Sequence, residues 1–294
     1  MIACIGGAHL DRHGVLRGPL VLGTSNPGRV HTAFGGVARN VAENLARLGV
    51  KTTLISRVGD DETGRQVLRH AANLGIDTAF CSISPERHTA SYTAIVDQAG
   101  ELVVGLADRD IYLEVQPDIL AEAMPVLNVQ QYWFIDANLP PETIAWLLDR
   151  AGETPVAIDA ISVTLAEGLR PLISKIPLLF ANLQQAAALT GVAGTPVEAA
   201  AALRALGVRQ GVLTAGSQGI AIWTPETVEA RPAIPAVIRD VTGAGDALVA
   251  ATLYGLIHRQ TLSEAANLGL KAAALTVESA DAVSAFIATL AHAR

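Results

Sequence analysis

Residues 240–257 read DVTGAGDALVAATLYGLI, a Gly-Ala-Gly run followed without a break by an apolar, alanine-rich helical segment. Small residues at a helix start leave several backbone N–H groups unpaired, with the positive end of the helix dipole behind them. Gly243 and Gly245 let backbone approach a ligand without a Cβ clash. The amides of Gly243, Ala244 and Gly245 then form an anion hole, suited to charge developing on a transferring phosphoryl group. A carboxylate beside such a hole repels phosphate, so Asp246 reads instead as the base that takes a proton from an attacking hydroxyl. The plainer reading is a tight turn with an acid at a helix start, and one glycine would satisfy that. Neither the P-loop spacing nor G-x-G-x-x-G occurs, which sets aside a Walker-type fold and the dinucleotide fingerprint.

Working outward, the chain alternates short apolar runs with helical periodicity. IACIG at the start reads as a buried strand. From Gly36 onward Val37, Val41, Leu45 and Leu48 recur at helical spacing, and Gly49 stops the pattern. TTLISRVGDD, QYWFIDAN, PVAIDA, LLFAN and GVLTAG read as further strands; ETGRQVLRHAANLG, PETIAWLLDRAG and residues 197–206, 244–257 and 263–277 read as helices. The alternation predicts an α/β fold with a mainly parallel sheet covered by helices on both faces. Two segments break the rhythm. GVLRGPLVLG and RVHTAFG, joined by the Ser25–Gly28 turn, and SYTAIVDQAGELVVGLAD, turning at Gln98-Ala99-Gly100, read as strand pairs with no helix between them. They predict a four-stranded β lid from residues 14–34 and 89–106, over a core of residues 1–13, 35–88 and 107–294. Decorative surface hairpins are the alternative.

Bulk properties narrow the classes. The 294 residues are 50% hydrophobic and only 4% aromatic, so the core is aliphatic. A formal net charge of −7 argues against nucleic acid or an anionic membrane as partner. Cys4 and Cys81 lack metal-ligand spacing and read as reduced core residues. No basic leader and no 18-residue uncharged apolar run is found, so a soluble, cytoplasmic protein is expected.

GGVARN at 35–40 and DVTGAGD at 240–246 together resemble the paired signatures of the ribokinase-like (PfkB) carbohydrate and nucleoside kinases. The resemblance spans essentially the whole chain and implies the ribokinase-like three-layer α/β/α domain with a β lid. It also implies ATP and Mg²⁺ as cofactors, with a monovalent cation such as K⁺ near 240–246 as a further expectation. By the same resemblance Asp11, in the loop after the first strand, grips sugar hydroxyls, and Gly35, Gly36 and Asn40 form the sugar-binding segment. Asp246 matches the catalytic base, and Gly243, Ala244 and Gly245 the anion hole. Thr214, Gly216 and Gly219 of TAGSQG match the segment that holds ATP phosphates, and Asn182 the start of the family's N-x-x-E motif. Independently, a carboxylate such as Asp11 can accept two hydrogen bonds from paired ribose hydroxyls, and Asn40 can donate and accept at once.

Departures are local. Gln185 stands where the family has glutamate; an amide can order a metal-bound water but supplies no charge, so weaker metal dependence here or compensation by Asp159 is expected. Phe180-Ala181 and Asp159-Ala160-Ile161-Ser162 also differ from the pattern of the pseudouridine kinases, the branch that Ser25-Asn26-Pro27-Gly28 before the glycine pair most resembles. His9, beside Asp11, is either a packed loop residue or a pH-sensitive neighbour of the substrate acid. The expected reaction is ATP-dependent phosphorylation of the 5′-hydroxyl of pseudouridine, with Ser25 and Asn26 reading the base edge or serving only as a good turn. Ribose, another nucleoside or a ketohexose is the alternative acceptor, and a non-catalytic nucleoside- or sugar-binding protein the reading from another class. Exposed lid edges predict a homodimer with lid-to-lid contact.

Overall fold

The computed structural model describes residues 1–292. Its strands are β1 (Ile2–Ile5), β2 (His9–Leu16), β3 (Gly28–Gly35), β4 (Thr52–Ile55), β5 (Arg57–Gly59), β6 (Ser82–Ser84), β7 (Ser91–Val96) and β8 (Leu102–Asp108) in the first part of the chain. The second part adds β9 (Tyr132–Asp136), β10 (Val156–Asp159), β11 (Leu178–Asn182), β12 (Gln210–Thr214), β13 (Ile220–Trp223) and β14 (Val228–Arg231). The helices are α1 (Val37–Arg47), α2 (Glu62–Asn73), α3 (Pro117–Leu127), α4 (Pro141–Arg150), α5 (Val163–Gly168), α6 (Leu183–Thr190), α7 (Pro196–Ala205), α8 (Ala244–Ile257) and α9 (Leu262–Val277).

The large sheet runs β14-β13-β12-β11-β10-β9-β1-β4. It is parallel from β4 to β12, and β13 and β14 close one edge antiparallel. Its central strands are apolar throughout because both faces are covered. Along β1, Ala3 and Ile5 join the core beneath α3 to α7, while Ile2 and Cys4 join the core beneath α1, α2, α8 and α9. This is the expected three-layer arrangement. From β1 the chain goes first to β4 on one side and later to β9 on the other. That reversal makes the carboxyl ends of β1 and β9 a topological switch point, the place where open α/β sheets receive ligands.

The small sheet runs β3-β2-β7-β8, with β2 and β7 parallel and both outer pairs antiparallel. It begins earlier than the sequence suggests, at His9 rather than residue 14, because β1 ends at the glycine pair Gly6-Gly7. Residues 17–27 form an irregular loop rather than the extended segment expected. The second hairpin turns where expected: Asp97 Oδ1 accepts from the amides of Ala99 and Glu101, and Gly100 takes a φ of 85°. The helix α3 carries Pro125 and was not anticipated. No helix of the described residues is long and apolar enough to cross a membrane.

The starts of α3 and α4 carry a proline at the first turn and no side-chain cap; the other seven named helices divide into two kinds. Asp61, Ser162, Asn182, Thr195 and Thr261 cap α2, α5, α6, α7 and α9 with their own side chains, the last three as capping boxes. By contrast α1 and α8 begin on the positive-φ glycines Gly36 (96°) and Gly243 (77°) without a side-chain cap. For α1 the substitute comes from another strand. Asp136, fully buried at the end of β9, accepts from Gly7 N at 2.8 Å and Ala38 N at 2.9 Å through Oδ2, and from Asn138 N at 3.0 Å through Oδ1. One carboxylate thus ties β1, β9 and α1 together. Asp136→Ala orphans three N–H groups at once and is expected to cost about 2–4 kcal/mol in urea unfolding; an unchanged midpoint would show that the tie is dispensable.

Candidate active site

The acceptor side is built on the start of α1. Gly36 lies so close to the β1 loop that a Cβ there would sit 2.3 Å from the Gly7 carbonyl oxygen, and a Cβ on Gly35 would fall on the Asp11 carboxylate. Both glycines are therefore needed, for backbone contact in one case and to seat Asp11 in the other. Asp11 is not in a loop as expected. It is the third residue of β2, which places its buried carboxylate against the last residue of β3. Its Oδ1 is buried and lacks a hydrogen-bond partner; His9 Nε2 lies 3.2 Å away, in ion-pair contact but out of line for a hydrogen bond. His9 in turn contacts the hydroxyl of Tyr112 at 3.1 Å, and that hydroxyl accepts from Ala8 N. His9 is thus packed and also touches the substrate acid.

Asn40 reaches across to α8. Its Nδ2 donates to Asp246 Oδ2 at 2.6 Å, and its Oδ1 accepts from Arg39. Arg39 is buried and donates also to the carbonyls of Gly35 and Phe34 and to Glu43, one turn on. Burial pulls the Arg39 guanidinium below its ordinary range. Burial pushes Glu43 up, but Arg39 and Arg47 outweigh it and hold the carboxyl below the usual range. The pair stays charged, so Asn40 is oriented by a fixed cation and presents its N–H to Asp246.

On the donor side, the start of α8 differs in detail from the expected anion hole. Ala244 N donates to the Val241 carbonyl, closing a turn, whereas no protein acceptor is found among the described residues for the amides of Gly243, Gly245 and Asp246. Gly243 is demanded by its φ and by the Ala282 backbone, which a Cβ would strike at 1.9 Å. Gly245 instead has nothing within 4 Å of where its Cβ would be, leaving room for a ligand. A cavity of about 160 Å³ lies here, lined by Asp159, Asn182, Gln185, Thr214, Gly245 and Asp246. It adjoins a groove of about 570 Å³ that shares Thr214, Gly245 and Leu248 and is mostly apolar, with Ile220, Ile238, Val241 and Leu270 among its walls. Gly216 lines that groove at a φ of 57°; Gly219 packs on the Arg231 carbonyl, where a Cβ would sit at 2.0 Å.

Gln185 and Asn182 are engaged with each other. Gln185 Oε1 accepts from Asn182 N at 2.8 Å, and Asn182 Oδ1 accepts from Gln185 N at 2.9 Å. With both amide oxygens used in the capping box, the two NH₂ groups are what these residues offer to a ligand. That favours phosphate oxygens over a metal. Asp159, one strand away, is the acid in this cavity that the sequence reading named as compensation; its Oδ1 accepts from Ile161 N, which leaves Oδ2 without a backbone donor. Burial raises Asp159 to about 7, with Asp136 adding to the shift. Burial likewise raises Asp246 to about 8, the Asn40 bond opposing and Asp159 reinforcing. No group of three or more His, Cys, Asp or Glu that could hold a metal occurs among the described residues. Asp159, with one oxygen free at the cavity wall, fits a share in one Mg²⁺ whose other ligands are phosphates and water, the usual arrangement for that ion.

The structure brings Asn40, Asp246, Gly245, Asn182, Gln185 and Thr214 around one space, with Asp11, Gly35 and Gly36 beside it. Ser25 and Asn26 are elsewhere. They lie in the loop beyond the Leu16–Gly28 pair, five residues along β2 from Asp11, or about 17 Å at the rise of a strand. Asn26 spends its amide there, bonding to Val21 N, Val21 O and Thr24 O. Sequence reasoning missed Asp136 and Arg39. The signal for Asp136 was an acid closing the apolar run YWFID; for Arg39 it was an arginine next to Asn40 with glutamate four residues on.

The chain matches the pfkB family carbohydrate kinases over residues 1–289. It is 33% identical to the pseudouridine kinase of Escherichia coli (strain K12) over 255 residues, covering 85% of this chain and 81% of the other. A carbohydrate kinase from Agrobacterium tumefaciens superposes with a TM-score of 0.84 at 35% identity, over 98% of this chain and 95% of the other. An Arabidopsis thaliana ribokinase, complexed with ribose and ATP, has a TM-score of 0.87 at 20% identity over 99% and 98%, which shows the fold. With an open helix start at α8, a buried aspartate bonded to Asn40 and a match across nearly its whole length, the chain belongs to the PfkB family of carbohydrate kinases.

Proposed function

We propose that this kinase transfers the γ-phosphoryl group of ATP to the 5′-hydroxyl of pseudouridine. The observation that carries the acceptor side is Asp11 Oδ1, buried without a hydrogen-bond partner where ribose hydroxyls would supply two donors. Identity to a pseudouridine kinase favours that nucleoside over ribose, another nucleoside or a ketohexose. The Asn40–Asp246 bond argues against a binding protein without catalysis, because it aligns a carboxylate that binding alone does not need.

In this reading the purine lies in the apolar groove, and the phosphates run past Thr214 and the NH₂ groups of Asn182 and Gln185 to the start of α8. The acceptor oxygen, held by Asp11 and Asn40, attacks the γ-phosphorus. The new O–P bond forms as the bond to the β-phosphate oxygen breaks, ADP leaves, and the hydroxyl proton passes to Asp246. The free amides of Gly245 and Asp246 stabilise the charge on the transferring group. Asp159 would help hold Mg²⁺, which would supply charge neutralisation of the phosphates. The small sheet acts as a lid that keeps water from competing as acceptor.

The lid also suits a homodimer. Strand alternation puts Val30, Ile95, Val104 and Leu106 on the face opposite Asp11, and Val30, Val104 and Leu106 are 72, 53 and 69% exposed. An apolar face of this kind on a sheet with two free edges is covered by a second copy. Val104→Glu/Leu106→Glu is expected to elute as a monomer in light-scattering chromatography; a wild type that is itself monomeric at micromolar concentration would refute the dimer.

ADP release with pseudouridine, uridine, ribose and fructose tests the acceptor, and turnover on ribose alone would exclude the nucleoside. Asp246→Asn should lower kcat by about 10²- to 10⁴-fold with little change in KM. A base must be ionised to accept a proton, and burial holds Asp246 protonated up to about 8. The activity kcat/KM should therefore fall as pH drops through about 8 in the wild type; a flat profile between pH 6 and 9 would remove Asp246 from that role.

A further inference from the structure

On the face of the small sheet that carries Asp11, the next pair outward is His13 on β2 and His31 on β3. They are register partners, and their rings stack with centroids 5.0 Å apart and planes within 10°. The pair is two residues beyond Asp11, about 7 Å along the strand. On the other side of β2, Tyr92 pairs with Asp11, and its hydroxyl reaches outward over Gly105. Between these rings the register holds only Ala94 and Gly105, and Ala94 is 4% exposed. This face therefore carries a row of flat aromatic rings beside small residues, starting one step from the carboxylate whose Oδ1 makes no hydrogen bond.

A ribose is about one strand step wide. A nucleoside whose hydroxyls bond to Asp11, with its 5′-carbon turned toward Asp246, extends its base outward along β2, because inward lie Gly35 and the buried start of α1. Asn26, the alternative base reader, is spent within its own loop further out. We propose that His13 and His31, flanked by Tyr92, form the stacking platform for the base, and so select a nucleoside over a free sugar. This rests on the nucleoside-kinase reading above and deepens it. Stacking reads a π-face and not an edge, so the platform prefers planar bases as a class and leaves discrimination among pyrimidines to other groups.

The test is steady-state kinetics of the full chain with pseudouridine. Stacking is made equally in the ground and transition states, so its loss raises KM and spares kcat. His13→Ala and His31→Ala should each raise the KM for pseudouridine roughly tenfold or more, with kcat little changed, and His13→Phe should restore most of the loss. His31 is exposed on an edge strand, so its variant remains informative if His13→Ala fails to fold. Unchanged KM in both alanine variants, with a wild type that phosphorylates nucleosides, overturns the platform alone. A fall in kcat that His13→Phe does not rescue would assign the pair a structural role and also overturn it. A wild type that accepts only free sugars removes the nucleoside reading, and the platform with it.

Discussion

The acceptor half of this enzyme hangs on the burial of one carboxylate. Asp136 stands at the carboxyl end of the central strand β9, out of solvent, and accepts from the β1 loop, from α1 and from its own loop. Removing an acid from water favours its neutral form, and burial does raise Asp136; the three N–H donors oppose that shift. The exchange settles two glycines. Gly6, at a φ of 145°, has its Cβ position filled by the Asp136 carboxyl, and Gly36 must lie on the Gly7 carbonyl for Ala38 N to reach it. The glycine pair at 35–36 is thus as much a consequence of a buried acid a hundred residues away as of a sugar lying on bare backbone.

From α1 the same constraint reaches the base. Once Ala38 is fixed, Arg39 points back to the Gly35 and Phe34 carbonyls, Glu43 neutralises it one turn along, and Asn40 is held between Arg39 and Asp246. A buried ion pair of this kind adds little net stability, and its value lies in fixing one geometry. Across the cavity the acids act in the opposite sense. Asp136 and Asp159 each raise Asp246, and Asp136 raises Asp159. Without a cation the site carries more potential negative charge than it can ionise near neutrality. Burial is the larger cause for both Asp159 and Asp246, so loss of water from the cavity, more than mutual repulsion, holds Asp246 protonated up to about 8.

Much of this was legible in the sequence because it rests on local rules. Periodicity located α1, α2, α4, α7, α8 and α9, apolar runs gave the parallel strands, and Asp97-Gln98-Ala99-Gly100 gave the hairpin turn. Asn40 and Asp246, 206 residues apart, were assigned to one space and meet at 2.6 Å. What was missed depends on long-range contact or on competition for a single group. Asp136 looks like any acid ending a strand until Ala38 is seen above it. Ala244 has the right position for an anion hole, but its N–H is drawn into a turn by Val241, whereas Asp246 N has no protein acceptor among the described residues. Asn26 has the right chemistry for a uracil edge, yet the eleven-residue loop 17–27 uses that amide to hold itself together. In the same way Gln185, read as a weak metal ligand, turns its oxygen to the helix cap.

The two faces of the small sheet carry different side chains, and the difference bears on both substrate and assembly. A four-stranded sheet attached to a larger domain normally turns its apolar face to the core and its polar face to water. Only the root obeys that rule here: Phe34 packs into the main core and stacks on His70. Further out the face toward the acceptor carries His13, Asp11 and Tyr92, while the face turned away carries Val30, Val104 and Leu106. A core-facing apolar surface would seal the cleft against water but would also exclude a polyhydroxylated acceptor. Polar and aromatic groups inside admit such a molecule, and the apolar area displaced to the outside needs a cover of its own. Three or more strands hold together in water when one face is buried. A second copy over the outer face would satisfy that need and would leave the inner face free for substrate.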